Sequence, residues 1–236
     1  MLGVFLQRND NLRGLFVEMP ICWINHFFML TSQNLTFSYS SLKTFAFPDL
    51  RCAEREGLLI LGQSGSGKTT LLHLLALLLQ PQSGEIRLDG QSLQNLSARQ
   101  AGRVRAQKVG IVYQRAHFVS SLSVLDNILL ANYLANKKQD KNKAAQLADQ
   151  LGFAEHLFKK PNQLSQGEQQ RASIARALMN DPAVILADEP TASLDDDNCQ
   201  KVVSLLKAQS QSIGASLIVV THDLRLKEAF GDWVTL

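Results

Sequence analysis

A chain of 236 residues, 45% hydrophobic and 19% charged, holds enough apolar mass for one large domain or two small ones and is not disordered by composition. Its net charge of +3 is slight and not gathered into a basic run, so no nucleic-acid partner is expected. Three widely spaced cysteines (Cys22, Cys52, Cys199) without a C-x-x-C pair give no pattern for a disulfide framework or a zinc site and fit a reducing, cytoplasmic setting.

In chain order, residues 1–28 are Asn-rich and aromatic, without clean period 2 or 3.6, and Met29 is read as the natural start, with 1–28 an upstream extension. The apolar window 15–30 contains Glu18, Pro20, Asn25 and His26 and is too short to span a bilayer. Leu35, Phe37 and Tyr39 then alternate as on a strand. Residues 58–80 read as an apolar strand, a Gly-rich turn and a strongly apolar helix, and "GEIRLDG" (84–90) as a short antiparallel strand. "KVGIVYQ" (108–114), "AVILADE" (183–189) and "ASLIVVTHD" (215–223) are continuous runs rich in Val and Ile, the pattern of strands buried on both faces of a parallel sheet. Between Gln114 and Leu164 two amphipathic helices are predicted, and the basic stretch 137–146 reads as a solvated loop entering the second. Strands alternating with helices predict an α/β fold with a mostly parallel sheet.

"GQSGSGKTT" satisfies G-x-x-x-x-G-K-[ST] directly after a strand and opening a helix. Such a loop (Gly62, Gln63, Ser64, Gly65, Ser66, Gly67, Lys68, Thr69 and Thr70) turns backbone N–H groups toward nucleotide phosphates, with the positive end of the helix behind them. Lys68 reaches the β- and γ-phosphates of ATP, and the Thr69 hydroxyl is a Mg²⁺ ligand. "AVILADEP" delivers Asp188 and Glu189 to the carboxyl edge of a central strand, where α/β sheets bind ligands. Because neighbours on a strand point to opposite faces, the two carboxylates need not share a role. Asp188 is the metal-holding candidate and Glu189 the general base that deprotonates the attacking water.

"LSQGEQQR" (164–171) contains an S-x-x-E capping box, Ser165 to Glu168, at the start of a helix. A cap alone does not account for Gly167, since a better helix former would serve there. A small residue does let its N–H approach a phosphate closely.

In this order the phosphate loop, Gln114, "LSQGEQQR", "AVILADE", "SLD" (193–195) and His222 resemble the motifs of ABC-type ATPase subunits, over about residues 30–236. The resemblance implies a P-loop core, an antiparallel β subdomain and an inserted helical subdomain at about 115–165. It also implies two such domains pairing head-to-tail around two ATP molecules. By that resemblance Tyr39 stacks on adenine, with Phe37 as a rival, and Gln114 contacts Mg²⁺ and the attacking water. His222 contacts the γ-phosphate, and Ser193 to Asp195 form a loop crossing the dimer interface. Gln166 and Glu168 depart from the family's L-S-G-G-Q, whereas Ser165 and Gly167 are kept. The short ending after His222 and "RVRAQKVGIVYQ" are most similar to the lipoprotein-release and macrolide-efflux group. That group implies an integral membrane permease as partner and a position on the inner face of the cell membrane.

The alternative is a soluble ABC-type ATPase of DNA repair or translation. The spacing of Lys68 and Ser165 leaves no room for the long coiled coil of the repair types, and the chain carries one domain where ribosome-acting types usually carry two. A non-hydrolysing module would lack Glu189 or His222, and a simple P-loop kinase would lack "LSQGEQQR".

Overall fold

The computed structural model describes residues 28–40, 43–192 and 195–236. Most of the expected N-terminal extension, Cys22, Ser193 and Leu194 lie outside the described residues. In chain order the elements are β1 (Phe28–Ser40), β2 (Lys43–Ala46), β3 (Leu50–Ala53), β4 (Gly57–Leu61), α1 (Lys68–Leu75), β5 (Ser83–Leu88), β6 (Gln91–Ser92) and α2 (Ala98–Lys108). They continue as β7 (Val109–Val112), α3 (Val124–Leu134), α4 (Lys141–Gln150), α5 (Gln166–Leu178), β8 (Val184–Asp188), α6 (Asp196–Ser212), β9 (Ser216–Thr221) and β10 (Asp232–Thr235).

Two sheets form. The antiparallel one is built on β1, whose first half pairs with β3 and second half with β2, while β5 pairs along its middle. The other runs β10-β4-β9-β8-β7, parallel throughout. Every residue of β8 and β9 is buried, as their unbroken apolar runs predict for central strands. Strand β7 differs: it is the edge strand, so Val109 and Ile111 are only half-buried. It also stops at Val112, two residues before Gln114.

The parallel sheet has a core on each face, with side chains dividing at period 2. Leu58, Ile60, Leu186, Ile218 and Val220 pack with α1 and the antiparallel sheet. Leu59, Leu61, Ile185, Leu217 and Val219 pack with α5, α6 and the helical region. In that region α3 and α4 lie against α5 and against each other, around Ile128, Leu129, Leu147 and Phe153. The basic stretch behaves as its composition predicts: Asp140 caps α4 by accepting from the Lys143 N–H at 2.9 Å, and Lys137–Lys141 are exposed.

Helix α1 is shorter than its apolar sequence predicts. Leu77 adopts a φ of 57°, and the Leu78 and Leu79 N–H groups both return to the His73 carbonyl, at 2.8 and 3.2 Å. That closure satisfies the helix end and turns the chain toward β5. Cys52 and Cys199 are buried and unpaired, and burial pushes the Cys52 thiol up to about 12, far from a reactive thiolate. Among the described residues no helix is long and apolar enough to cross a membrane.

Candidate active site

The site lies at the carboxyl ends of β4, β8 and β9, where the chain leaves the parallel sheet. The turn between β4 and α1 is anchored by the Gly62 N–H donating to the Thr221 carbonyl at 3.2 Å. Glycine is required at Gly67, which has a φ of 100° and faces Phe45, whose Cδ1 would lie 2.8 Å from an added Cβ, whereas a Cβ on Gly62 would come within 2.5 Å of Ser66 Oγ, a side chain that would have to turn away. Lys68 is 7% exposed; its Nζ donates to the Gly62 and Gln63 carbonyls at 2.8 and 3.0 Å and lies 3.5 Å from Glu189 Oε1. The ammonium thus closes the loop beneath the place where phosphates are expected.

Asp188 is the last residue of β8 and accepts from the Thr69 hydroxyl through Oδ2 at 3.3 Å. Its Oδ1 is buried without a hydrogen-bond partner. Burial is the main influence on this carboxyl and raises its pKa, and the neighbouring Glu189 charge adds to this; the Thr69 bond pulls the other way. A buried carboxylate oxygen with no donor, beside a hydroxyl at a phosphate loop, fits a hard divalent cation completed by phosphate and water. The residues present therefore fit Mg²⁺.

Glu189 does not continue the strand. Its φ of 46° turns the backbone left-handed while its N–H stays on the Val220 carbonyl at 2.8 Å. The alternation expected of a strand therefore breaks between the two carboxylates, and both reach the phosphate loop, Asp188 through Thr69 and Glu189 through Lys68. Glu189 Oε2 accepts from the Thr221 hydroxyl at 2.8 Å, and His222 Nδ1 lies 3.0 Å from both carboxylate oxygens. Burial is the largest single influence on Glu189 and opposes its ionisation, but the bonds from His222 and Thr221 together outweigh it and hold the carboxyl below the usual range. The base candidate is ionised and oriented.

These groups line one open pocket of about 600 Å³, in which Ser64, Gly65, Lys68, Thr69, Gln114, Glu189 and His222 converge. Thr70 lines it as well, and so do three residues the motif reading did not single out, Lys43, Phe45 and Ala192. For Lys43 and Phe45 the signal was the strand pairing: Phe45 sits opposite Phe37 in the β1–β2 register, which carries β2 over the loop.

Tyr39 is not among the residues lining the pocket. It stands at its margin, 65% exposed, with its hydroxyl 3.2 Å from Thr70 Oγ1 and its ring edge-on to Phe37 and Phe45 at 4.8 and 6.5 Å. Phe37 is partly buried against the core, which leaves Tyr39 the freer ring. Ser165, Gly167 and Asp195 are also outside this pocket. Ser165 and Gly167 are exposed on the first turn of α5, and Asp195 caps α6 by accepting from the Asn198 N–H at 2.8 Å. Within one chain, nothing near Gly167 demands a glycine: an added Cβ would meet only Arg171 Nη1, at 3.8 Å.

Residues 48–192 match the family profile described as ABC transporter. The lipoprotein-releasing system ATP-binding protein LolD of Legionella pneumophila (strain Lens) is 39% identical over 206 residues, 85% of this chain and 91% of the relative. That of Saccharophagus degradans is 42% identical over 180 residues, 75% of this chain and 79% of the relative. Among solved structures, the ATP-binding cassette MJ0796, determined as a dimer in a post-hydrolysis state bound to ADP and Pi, superposes with a TM-score of 0.79 at 31% identity, covering 88% of this chain and 94% of that one. Phosphate loop, oriented carboxylates and sheet topology agree with these likenesses, and the chain belongs to the ABC transporter family as an ATP-binding, ATP-hydrolysing cassette subunit.

Proposed function

We propose that this cassette, in residues 29–236, drives a separate membrane permease that extracts lipoprotein-like substrate from the membrane, a reading supported by relatives named as ATP-binding proteins of a lipoprotein-releasing system. The carrying observation is the ionised Glu189, held between Lys68 and His222 in the lining of the phosphate-loop pocket. Tyr39 offers its exposed ring to the adenine, and the phosphates run over residues 62–70 onto Lys68. Thr69, Asp188 and Gln114 would hold Mg²⁺, which offsets phosphate charge when bound. Glu189 takes a proton from water as the water oxygen bonds to the γ-phosphorus and the bond to the ADP oxygen breaks. His222 orients Glu189 and faces the γ-phosphate, while Lys68 offsets charge on the departing ADP.

Ser165 and Gly167 complete the site of a second copy, and Asp195 contributes to the contact between the two. The exposure of Ser165 and Gly167 on a helix N-terminus, away from their own chain's pocket, supports this pairing.

A groove of about 970 Å³ between α2, β7, α3 and α5 supports a permease segment as partner. Arg99, Arg103, Arg105 and Arg176 line it, and no acidic residue does among those described, which favours an acidic segment. Tyr113 faces this groove while the next residue, Gln114, faces the nucleotide pocket, a short path between permease and ATP. The cassette then sits on the inner face of the cell membrane through its partner. Purification of the chain from native membranes is the test. A permease with a large extracytoplasmic domain is expected to co-purify; a ribosomal or DNA-repair partner would contradict the reading.

A further inference from the structure

The cap of α5 uses more of Glu168 than a cap needs. Ser165 N–H donates to Glu168 Oε2 at 2.7 Å, and the Glu168 N–H returns to Ser165 Oγ at 3.4 Å. The other oxygen, Oε1, lies 3.0 Å from His156 Nε2, delivered by a 3-10 turn (Ala154–His156) ahead of the helix. The two side chains are 13% and 23% exposed, His156 the less. Glu155 Oε1 is 3.3 Å from the same nitrogen, but its side chain is 83% exposed and can turn into water. His156 Nδ1 is buried without a partner. Nε2 is therefore the ring nitrogen with acceptors in reach, and its proton is aimed at Glu168.

Position 168 is where the resemblance implies a glutamine, and a carboxylate there has a consequence an amide lacks. On the paired-site reading, the N-terminus of α5 receives the γ-phosphate bound by the other copy. A free carboxylate on that first turn would compete for the positive helix end and repel the phosphate. In the structure both oxygens are drawn back, one onto the Ser165 N–H and one onto His156. The capping bonds to Ser165, reinforced by His156, hold the Glu168 carboxyl below the usual range, so it stays charged.

We infer that His156 is a positioning residue of the shared ATP site: by donating Nε2–H to Glu168 Oε1 it keeps the carboxylate folded onto its own cap, so that Ser165 and Gly167 meet the partner-bound phosphate unopposed. The inference rests on the paired-site reading proposed above.

A four-protein cycle with the full chain tests it: wild type, His156→Ala, Glu168→Gln and the double variant, each assayed for MgATP-dependent hydrolysis. His156→Ala is expected to raise the half-saturating ATP concentration about five- to tenfold, the effect of losing one ordinary hydrogen bond, with kcat changed less than about twofold. Glu168→Gln, with no charge to restrain, stays at or below the wild-type value, and the double variant follows Glu168→Gln. His156→Gln, which keeps a donor, stays within about twofold of wild type and serves should the alanine variant fold poorly.

A double variant as impaired as His156→Ala, or His156→Gln as impaired as His156→Ala, would mean only a structural role and overturn the inference. An unaffected His156→Ala would overturn it equally. Ser165→Arg separates the two readings. If Ser165→Arg is inactive, a failed cycle removes only the His156 assignment; if Ser165→Arg hydrolyses ATP normally, the paired site itself is wrong.

Discussion

Glu189 and His222 are joined through a single nitrogen, with His222 Nδ1 3.0 Å from each Glu189 carboxylate oxygen. The histidine ring is largely exposed and the carboxylate largely buried, 64% against 15%, so the pair links solvent to the buried part of the pocket lining. This arrangement orients the proposed base without neutralising it, and it directs the first expectation.

Replacing Glu189 with Gln keeps the shape and one acceptor for the Thr221 hydroxyl but removes the base. Turnover should fall on the order of 10²–10⁴-fold, with ATP affinity intact and the ATP-bound dimer longer-lived. Steady-state hydrolysis beside equilibrium nucleotide binding checks this, and loss of binding in parallel with turnover would contradict it.

Asp188 carries the opposite perturbation. Burial raises its pKa above the ordinary value of 3.8, so between that value and the raised one the folded chain binds a proton that the unfolded chain does not. Stability therefore falls as pH rises through that window, and the full penalty is present at neutral pH. Asp188→Asn should raise the melting temperature of the nucleotide-free protein by a few degrees at pH 7, about 2–4 °C per kcal/mol for a chain of this size. The advantage should shrink as pH falls toward the carboxylate range, while Mg²⁺-dependent hydrolysis is lost. Thermal melts in chelator across pH, with hydrolysis assays alongside, test both halves.

Much of this site was legible in the sequence because the elements that build it are local. The loop at 62–70 announces itself by spacing, and β8 and β9 by unbroken Val and Ile runs that only a doubly covered strand tolerates. What escaped depends on approach between distant segments or on backbone choices without a strong residue preference. Phe45 and Lys43 reach the pocket through the β1–β2 register. Glu189 joins Asp188 on one side through a left-handed turn that its residue type does not favour, and Leu77 ends α1 in the same way within an apolar run. The His156–Glu168 bond joins a 3-10 turn to a helix cap, and no periodicity signals it.

Tyr39 supplies the third expectation. Removing its ring with Tyr39→Ala should weaken ATP binding by about ten- to a hundredfold, the scale of one base-stacking contact of about 1–3 kcal/mol. Tyr39→Phe breaks only the contact with Thr70 and should bind ATP within about twofold of wild type. Affinities for ATP and for inorganic triphosphate compared side by side give the check, because triphosphate has no base and should bind both variants equally. If Tyr39→Ala bound ATP normally, the adenine would lie elsewhere, with Phe45 the next ring to test.

The central claim is that each ATP site takes its phosphate loop from one chain and Ser165 from another. Mixing two variants, Lys68→Ala and Ser165→Arg, each inactive alone, tests it most directly. A mixed dimer then contains one site with both an intact Lys68 and an intact Ser165, one from each chain. An equal mixture should recover hydrolysis, up to roughly a quarter of the wild-type rate from the statistical share of intact sites in a two-fold dimer. Full activity of Ser165→Arg by itself, or a mixture as inactive as its components, would contradict the account.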